Sequence, residues 1–228
     1  MSPPVLKLDH VCKVYQSPQV QTAALDDLSL EISPGEFLAV TGPSGCGKST
    51  LLNILGLIDS PTSGEYWFMG EEIARCSEEQ LTLRRRAGVG FVFQNFNLAD
   101  DLSVAENVEM ALLYRGLGSS ERRRRVTAAL QKVDLAHRAH HVPRQLSGGQ
   151  QQRVAMARAM VSDPQLILAD EPTGNLDTAN GEAVMEMLIA AAKMGTTVVM
   201  VTHSELHAQR ADRVLYMLDG RFIDSTEL

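Results

Sequence analysis

Cysteine is scarce in this chain. Cys12, Cys46 and Cys76 are the only ones in 228 residues, an odd number without metal-like spacing. That argues against a disulfide scaffold and suits a reducing compartment. Excess positive charge is missing too. Lys and Arg number 21 against 28 Asp and Glu, a formal net charge of -7. A dedicated duplex binder needs a basic surface to replace counterions, so no nucleic acid partner is expected. Long apolar runs are also lacking. The longest, such as Leu166 to Ala169, are strand-sized and far short of the roughly 20 residues of a membrane span. Met1 to Asp9 shows no charged-then-apolar leader pattern. The expectation is a chain soluble by itself, whose work at a membrane would need another subunit. What remains, 44% hydrophobic and 21% charged residues, is ordinary globular composition. The length fits one domain or a domain with a subdomain.

The pattern along the chain is that of an α/β protein. Leu25 to Ile32 alternates apolar and polar residues with one slip, as a half-buried strand does. Phe37 to Val40 is a continuous apolar run, expected of a strand buried on both faces. Tyr66 to Met69 reads as a further strand. Ser77 with Gln80, and Ser103 with Glu106, have capping-box spacing, and Val104, Val108, Ala111 and Leu112 continue one helical face. Arg84 to Arg86 and Arg122 to Arg125 read as solvated helix faces. In the last third, strands at Leu166–Ala169, Thr197–Val201 and Val214–Leu218 alternate with a helix over Ala183–Ala192. Such alternation implies parallel strands with crossover helices. Asp219-Gly220 is a hairpin signal.

Three segments carry chemistry. Gly42-Pro43-Ser44-Gly45-Cys46-Gly47-Lys48-Ser49 fits the phosphate-loop pattern, with Thr50 in the helical turn that follows. The glycines let backbone N–H groups converge on phosphate oxygens, and the helix N-terminus faces the same anion. Lys48 supplies a positive charge for the β- and γ-phosphates, and the Ser49 hydroxyl can ligate Mg²⁺. Cys46 is read as a small residue contributing a backbone N–H. Leu166 to Ala169 is an apolar strand ending in Asp170 and Glu171. In phosphate-loop enzymes a strand-end Asp holds Mg²⁺, and a carboxylate just beyond it can take a proton from water. Finally, Ser147-Gly148-Gly149-Gln150 opens a helix with a hydroxyl, two glycines and a free N-terminus, a second anion-binding surface. One chain then holds two phosphate readers, which a monomer does not explain.

Leu146 to Arg153 resembles the signature motif of the ATP-binding cassette family, and with Gly42–Ser49 and Asp170-Glu171 identifies the chain as a member of it. The resemblance covers most of the chain and implies further roles. Tyr15 resembles the aromatic that stacks on adenine. Gln94 resembles the glutamine that reaches Mg²⁺ and the attacking water and links the core to a helical subdomain. Gly174 to Asp177 resembles the dimer-contact loop, with Asp177 near the nucleotide. His203 resembles the histidine at the γ-phosphate. Ser204 departs from the family, which often has an acid there. The implied fold is a phosphate-loop NTPase core, a mixed sheet with flanking helices, carrying an antiparallel β subdomain. Core and β subdomain would span 1–93 and 162–228, with an inserted helical signature subdomain over 94–161.

The implied mechanism is an ATP-dependent homodimer. Two copies stack head to tail, so that Ser147 and Gly149 of one close over ATP and Mg²⁺ held by Lys48 of the other. Glu171 activates water, and His203 and Gln94 orient it. The stretches Leu51–Leu57, Asp59–Glu65, Phe91–Leu98 and Leu168–Asp177 resemble the subgroup of macrolide-export and lipoprotein-release type. That implies an integral-membrane permease partner, with or without a periplasmic adaptor, at the cytoplasmic face of the inner membrane. The alternative within the same motifs is a regulatory ATPase of cell-division type that gates an envelope hydrolase without transport. A DNA-repair or chromosome ATPase needs a long coiled coil between its two phosphate motifs, and Gly42 and Ser147 are too close for one.

Overall fold

The computed structural model describes residues 3–16 and 21–224. In chain order it runs β1 (Leu6–Gln16), β2 (Gln21–Ile32), β3 (Phe37–Thr41), α1 (Lys48–Leu55), β4 (Ser63–Phe68), β5 (Glu71–Glu72), α2 (Glu78–Gly88) and β6 (Val89–Phe93). It continues with α3 (Val104–Glu109), α4 (Ser119–Lys132), α5 (Gly148–Met160), β7 (Leu166–Asp170), α6 (Thr178–Lys193), β8 (Thr197–Val201), α7 (Glu205–Ala208), β9 (Arg213–Leu218) and β10 (Arg221–Ile223).

The strands form two sheets. One is antiparallel, in the order β2-β1-β4-β5. The other has the order β10-β9-β3-β8-β7-β6, parallel except for the β9–β10 hairpin. The runs Phe37–Thr41 and Thr197–Val201 are buried at every position, as central parallel strands must be. The slip in the Leu25–Ile32 alternation is a bulge. Asp27 takes a positive φ of 58, and between the pairs Val11–Leu28 and Lys13–Leu25 the β2 side is one residue longer. The extra residue restores the inward phase, so Leu25, Leu28, Leu30 and Ile32 all reach the core.

Two differences from the sequence pattern have simple causes. The fourth strand stops at Phe68, because Met69 takes a φ of 53 and turns the chain. The α3 face ends at Glu109 and tightens into a 3-10 turn over Met110–Leu112, which still buries Leu112. The arginine runs are also more engaged than a solvated face. Arg84 pairs with Glu71, Arg86 lies 4.4 Å over the Tyr114 ring, and Arg124 and Arg125 share Glu121.

Apolar side chains gather in three clusters. Two lie around the sheets and α1 and α6. The third, with Val104, Val108, Leu130, Leu146 and Val154, unites α3, α4 and α5. Ahead of it, a fully buried Asn107 clamps the loop that leads into α3. Its side chain accepts from the Ala99 N–H at 2.7 Å and donates to the carbonyls of Ala99, Leu102 and Ser103. Removing it would strand the Ala99 N–H and the Leu102 carbonyl, while the Ala99 and Ser103 carbonyls keep backbone donors in Leu102 and Asn107. Asn107→Ala is therefore expected to cost about 3 kcal/mol, read as a fall in the urea midpoint without a change in slope.

Candidate functional site

Parallel pairing brings the chemistry to one edge. In the sheet Phe93 lies beside Asp170, Asp170 beside Val201, and Val201 beside Val40. Gln94, Glu171, His203 and the Gly42 loop each follow one of those strand ends. The carboxyl ends of parallel strands thus meet around a cavity of about 360 Å³. Ser44, Gly45, Gly47, Lys48, Ser49 and Thr50 line it on one side, and Gln94, Asp170, Glu171 and His203 on the other. Gly42, Pro43 and Cys46 complete the loop without lining the cavity.

The loop is shaped for an anion. Gly47 has a φ of 106, and a Cβ there would lie 2.3 Å from the Ala24 carbonyl oxygen, so only glycine fits. It precedes α1, whose first turn has no side-chain cap. Those N–H groups remain free for a ligand. The Lys48 ammonium is buried and donates to the carbonyls of Gly42 at 2.8 Å and Pro43 at 2.7 Å. It has hydrogen bonds but no carboxylate partner among the described residues, so an anion entering the cavity finds an unpaired cation.

The acids differ in their surroundings. Burial pushes the Asp170 carboxyl above its ordinary value, against the opposing pull of the Ser49 hydroxyl, Lys48 and His203. The Ser49 hydroxyl donates to its Oδ2 at 3.5 Å. Glu171 sits at a strained φ of 47. Its Oε2 accepts from the His203 backbone N–H at 3.2 Å. Its Oε1 is 3.3 Å from His203 Nε2 without hydrogen-bond geometry, and is buried with no other partner. One oxygen thus orients the carboxylate while the other stays free to accept. The residues also fit Mg²⁺. Ser49 and Asp170 offer two adjacent hard oxygens, and no cluster of three or more His, Cys, Asp or Glu ligands exists among the described residues. That donor set suits a cation that completes its shell with phosphate and water.

The second group of sequence candidates lies elsewhere on the chain. Ser147 caps α5, accepting from the Gln150 N–H at 3.3 Å, while the Gln150 side chain accepts from the Ser147 N–H at 3.0 Å. The capping uses the Ser147 oxygen as acceptor and leaves its hydroxyl proton to donate. Gly148 and Gly149 form the first turn behind it. Asp177 caps α6 and holds Asn180 through both carboxylate oxygens at 2.9 and 2.7 Å. None of Ser147, Gly148, Gly149, Gln150 and Asp177 lines the cavity. Tyr15, which is 43% exposed, does not line it either, but pairs in the β1–β2 ladder with Thr22, which does. Ser204 caps α7 by accepting from the His207 N–H.

One residue's contacts escaped the sequence reading. Asn175 accepts from Gln94 Nε2 at 3.2 Å and donates to the Gln94 carbonyl and the Asn95 side chain. It ties the loop after β6 to the loop after β7. Its signal was its place inside Gly174–Asp177, but its partners are 80 and more residues away.

A glycine-rich loop on an uncapped helix, with acids at the end of another parallel strand of the same sheet, defines a phosphate-loop nucleotide-binding protein. The family profile described as "ABC transporter" matches residues 25–174. The chain is 45% identical over 226 residues to the macrolide export ATP-binding/permease protein MacB of Hyphomonas neptunium, covering 99% of this chain and 35% of that protein. It is 45% identical over 222 residues to the ABC transporter ATP-binding protein YknY of Bacillus subtilis, covering 97% of this chain and 96% of that one. A dimeric structure of the ATP-binding cassette MJ0796 in a post-hydrolysis state with ADP and Pi superposes with a TM-score of 0.89 at 44% identity. That match covers 96% of this chain and 97% of the other. The chain belongs to the ABC transporter family and has the fold of its ATPase cassette. It spans about a third of the length of the MacB relatives it matches.

Proposed function

We propose that this chain binds and hydrolyses ATP with Mg²⁺ as one half of a head-to-tail dimer, and thereby drives a membrane permease of macrolide-export or lipoprotein-release type. The observation that carries the reading is the single cavity shared by Lys48, Ser49, Gln94, Asp170, Glu171 and His203. Lys48 and the loop N–H groups bind the β- and γ-phosphates. Ser49, Asp170 and Gln94 hold Mg²⁺, which neutralises phosphate charge when bound. Glu171 accepts the proton of the attacking water through its free oxygen. His203 and Gln94 orient the water and the γ-phosphate. Tyr15 stacks on the adenine. Ser147 to Gln150 and Asp177 meet the nucleotide of a second copy, which accounts for a phosphate reader placed outside the chain's own cavity. ATP then favours the closed dimer because it binds that state better.

The helical subdomain is taken as 94–161 and the core with its β subdomain as 1–93 and 162–228. Among the described residues no helix is long and apolar enough to cross a membrane, so a permease partner supplies that part at the cytoplasmic face of the inner membrane. Its docking place is a groove of about 620 Å³ between the core and the helical region. Ile58, Met110 and Tyr114 are lining residues exposed by 44%, 44% and 73%. The MacB relatives carry a permease on the same chain as the ATP-binding part, which supports that occupant.

The test is a pull-down of tagged Glu171→Gln chain with Mg-ATP from detergent-solubilised native membranes, identified by mass spectrometry. A permease with a large extracytoplasmic domain is the expected companion. A membrane protein tied to peptidoglycan hydrolases would move the assignment to a regulatory ATPase.

A further inference from the structure

The Tyr15 ring is exposed, yet it is not free. Its hydroxyl donates to Asp59 Oδ2 at 2.9 Å. The other Asp59 oxygen accepts from the Lys13 ammonium at 2.6 Å, and that ammonium also donates to the Ser60 carbonyl at 2.8 Å. The same ammonium lies over the Tyr15 ring, 5.0 Å from its centroid. Lys13 is the sheltered member, with a side chain only 13% exposed. Burial pushes the Asp59 carboxyl up, but the bonds from Lys13, Tyr15 and the Ser60 amide outweigh it and hold the carboxyl below its ordinary value.

Asp59 belongs to a different part of the chain from Tyr15. It follows α1, the helix that begins at Lys48, and its N–H donates to the carbonyl of Asn53 within that helix. A second tie lies alongside, from the Val14 N–H to the Thr62 hydroxyl at 3.0 Å. The strand that carries Tyr15 is thereby fastened to the far end of the phosphate-loop helix. Among the described residues, a ring with one face under a cation and its hydroxyl pinned offers its other face to a flat partner.

We infer that Lys13 and Asp59 are positioning residues for the nucleotide base: they fix the Tyr15 ring relative to the phosphate loop, so that the base subsite is built before ATP arrives. This rests on reading Tyr15 as the base-stacking side chain. Preorganisation of this kind strengthens binding by reducing what must be ordered on association. It acts only on ligands that have a base.

The experiment is calorimetric titration of the full chain with Mg-ATP and, separately, with Mg-tripolyphosphate, which carries the phosphates but no base. Tyr15→Ala is expected to weaken ATP about tenfold. Asp59→Asn and Lys13→Met are each expected to weaken it about threefold to tenfold, the worth of one aromatic contact, and Tyr15→Phe by about threefold. Tripolyphosphate affinity should stay within about twofold throughout. If Tyr15→Ala weakens ATP while Asp59→Asn, Lys13→Met and Tyr15→Phe bind it like the parent, stacking stands and the positioning role is overturned. If Tyr15→Ala binds ATP normally, the stacking reading fails and takes the inference with it. Equal losses for ATP and tripolyphosphate would also overturn it, because the variants would then be disturbing the phosphate loop itself.

Discussion

Replacing Glu171 by Gln should lower ATP turnover by about a thousandfold while nucleotide binding survives. The side chains have the same shape. The amide oxygen of Gln can still accept the His203 backbone N–H that Glu171 Oε2 accepts at 3.2 Å. The backbone is held independently, by the Glu171 N–H to the Val201 carbonyl at 2.9 Å. What disappears is the buried, unpartnered Oε1 as a proton acceptor. A general base contributes about a hundredfold to ten-thousandfold, so a thousandfold loss is about 4 kcal/mol of barrier. Blocked after binding and before cleavage, the variant should accumulate as a dimer with Mg-ATP. Phosphate release and gel filtration read the two effects. Turnover within tenfold of the parent would remove Glu171 from the proton-acceptor role and leave the orphaned oxygen without a purpose.

How much of this could be read in the sequence depends on the range of the interaction. Local physics was legible. The boxes at Ser77–Gln80 and Ser103–Glu106 form as their spacing predicts, because a cap and its partner lie within one turn. The apolar run Phe37–Val40 is buried throughout for the same reason: a strand's burial is written in its own residues. The phosphate loop was legible because its turns need glycine where φ is positive, at Gly42, Gly45 and Gly47. Ser147 with Gln150 has the same spacing and forms the same box, although the residue was read only as an N-terminal hydroxyl.

Contacts across long separations were not legible. Tyr15 and Asp59 are 44 residues apart, and Gln94 and Asn175 are 81 apart. Neither spacing carries a periodic signal, since the sheet order that joins them is fixed by crossovers and not by local pattern. Asn107 is the same case at short range. A buried amide in an apolar stripe looks like a flaw until the loop it clamps is known. Arg86 on Tyr114 shows the limit from the other side. A charge run is visible at once, but a partner far along the chain is not.

Gly149→Ala should damage the dimer-facing surface from inside a single chain. A Cβ at Gly149 would lie 2.1 Å from Asn180 Oδ1 and 2.2 Å from its Cγ, so the Asn180 side chain must leave its place. That side chain donates to Asp177 Oδ2 at 2.7 Å, and Asp177 is the cap of α6. One methyl group therefore loosens the join between the first turns of α5 and α6, and with it the end of the Gly174–Asp177 loop. The expected cost is about 1 to 3 kcal/mol of stability, the usual scale for overpacking and for a lost cap. The functional loss should be larger and selective. Lys48, Ser49, Asp170 and Glu171 line the cavity and Gly149 does not, so the monomer should bind ATP as the parent does. Formation of the Mg-ATP dimer and the turnover that depends on it should fall more than tenfold. Comparing ATP affinity by titration with dimer formation of a Gly149→Ala, Glu171→Gln double variant separates the two. A double variant that dimerises like Glu171→Gln alone would show that this helix end does not meet a second copy. The phosphate reader at Ser147 would then need another ligand.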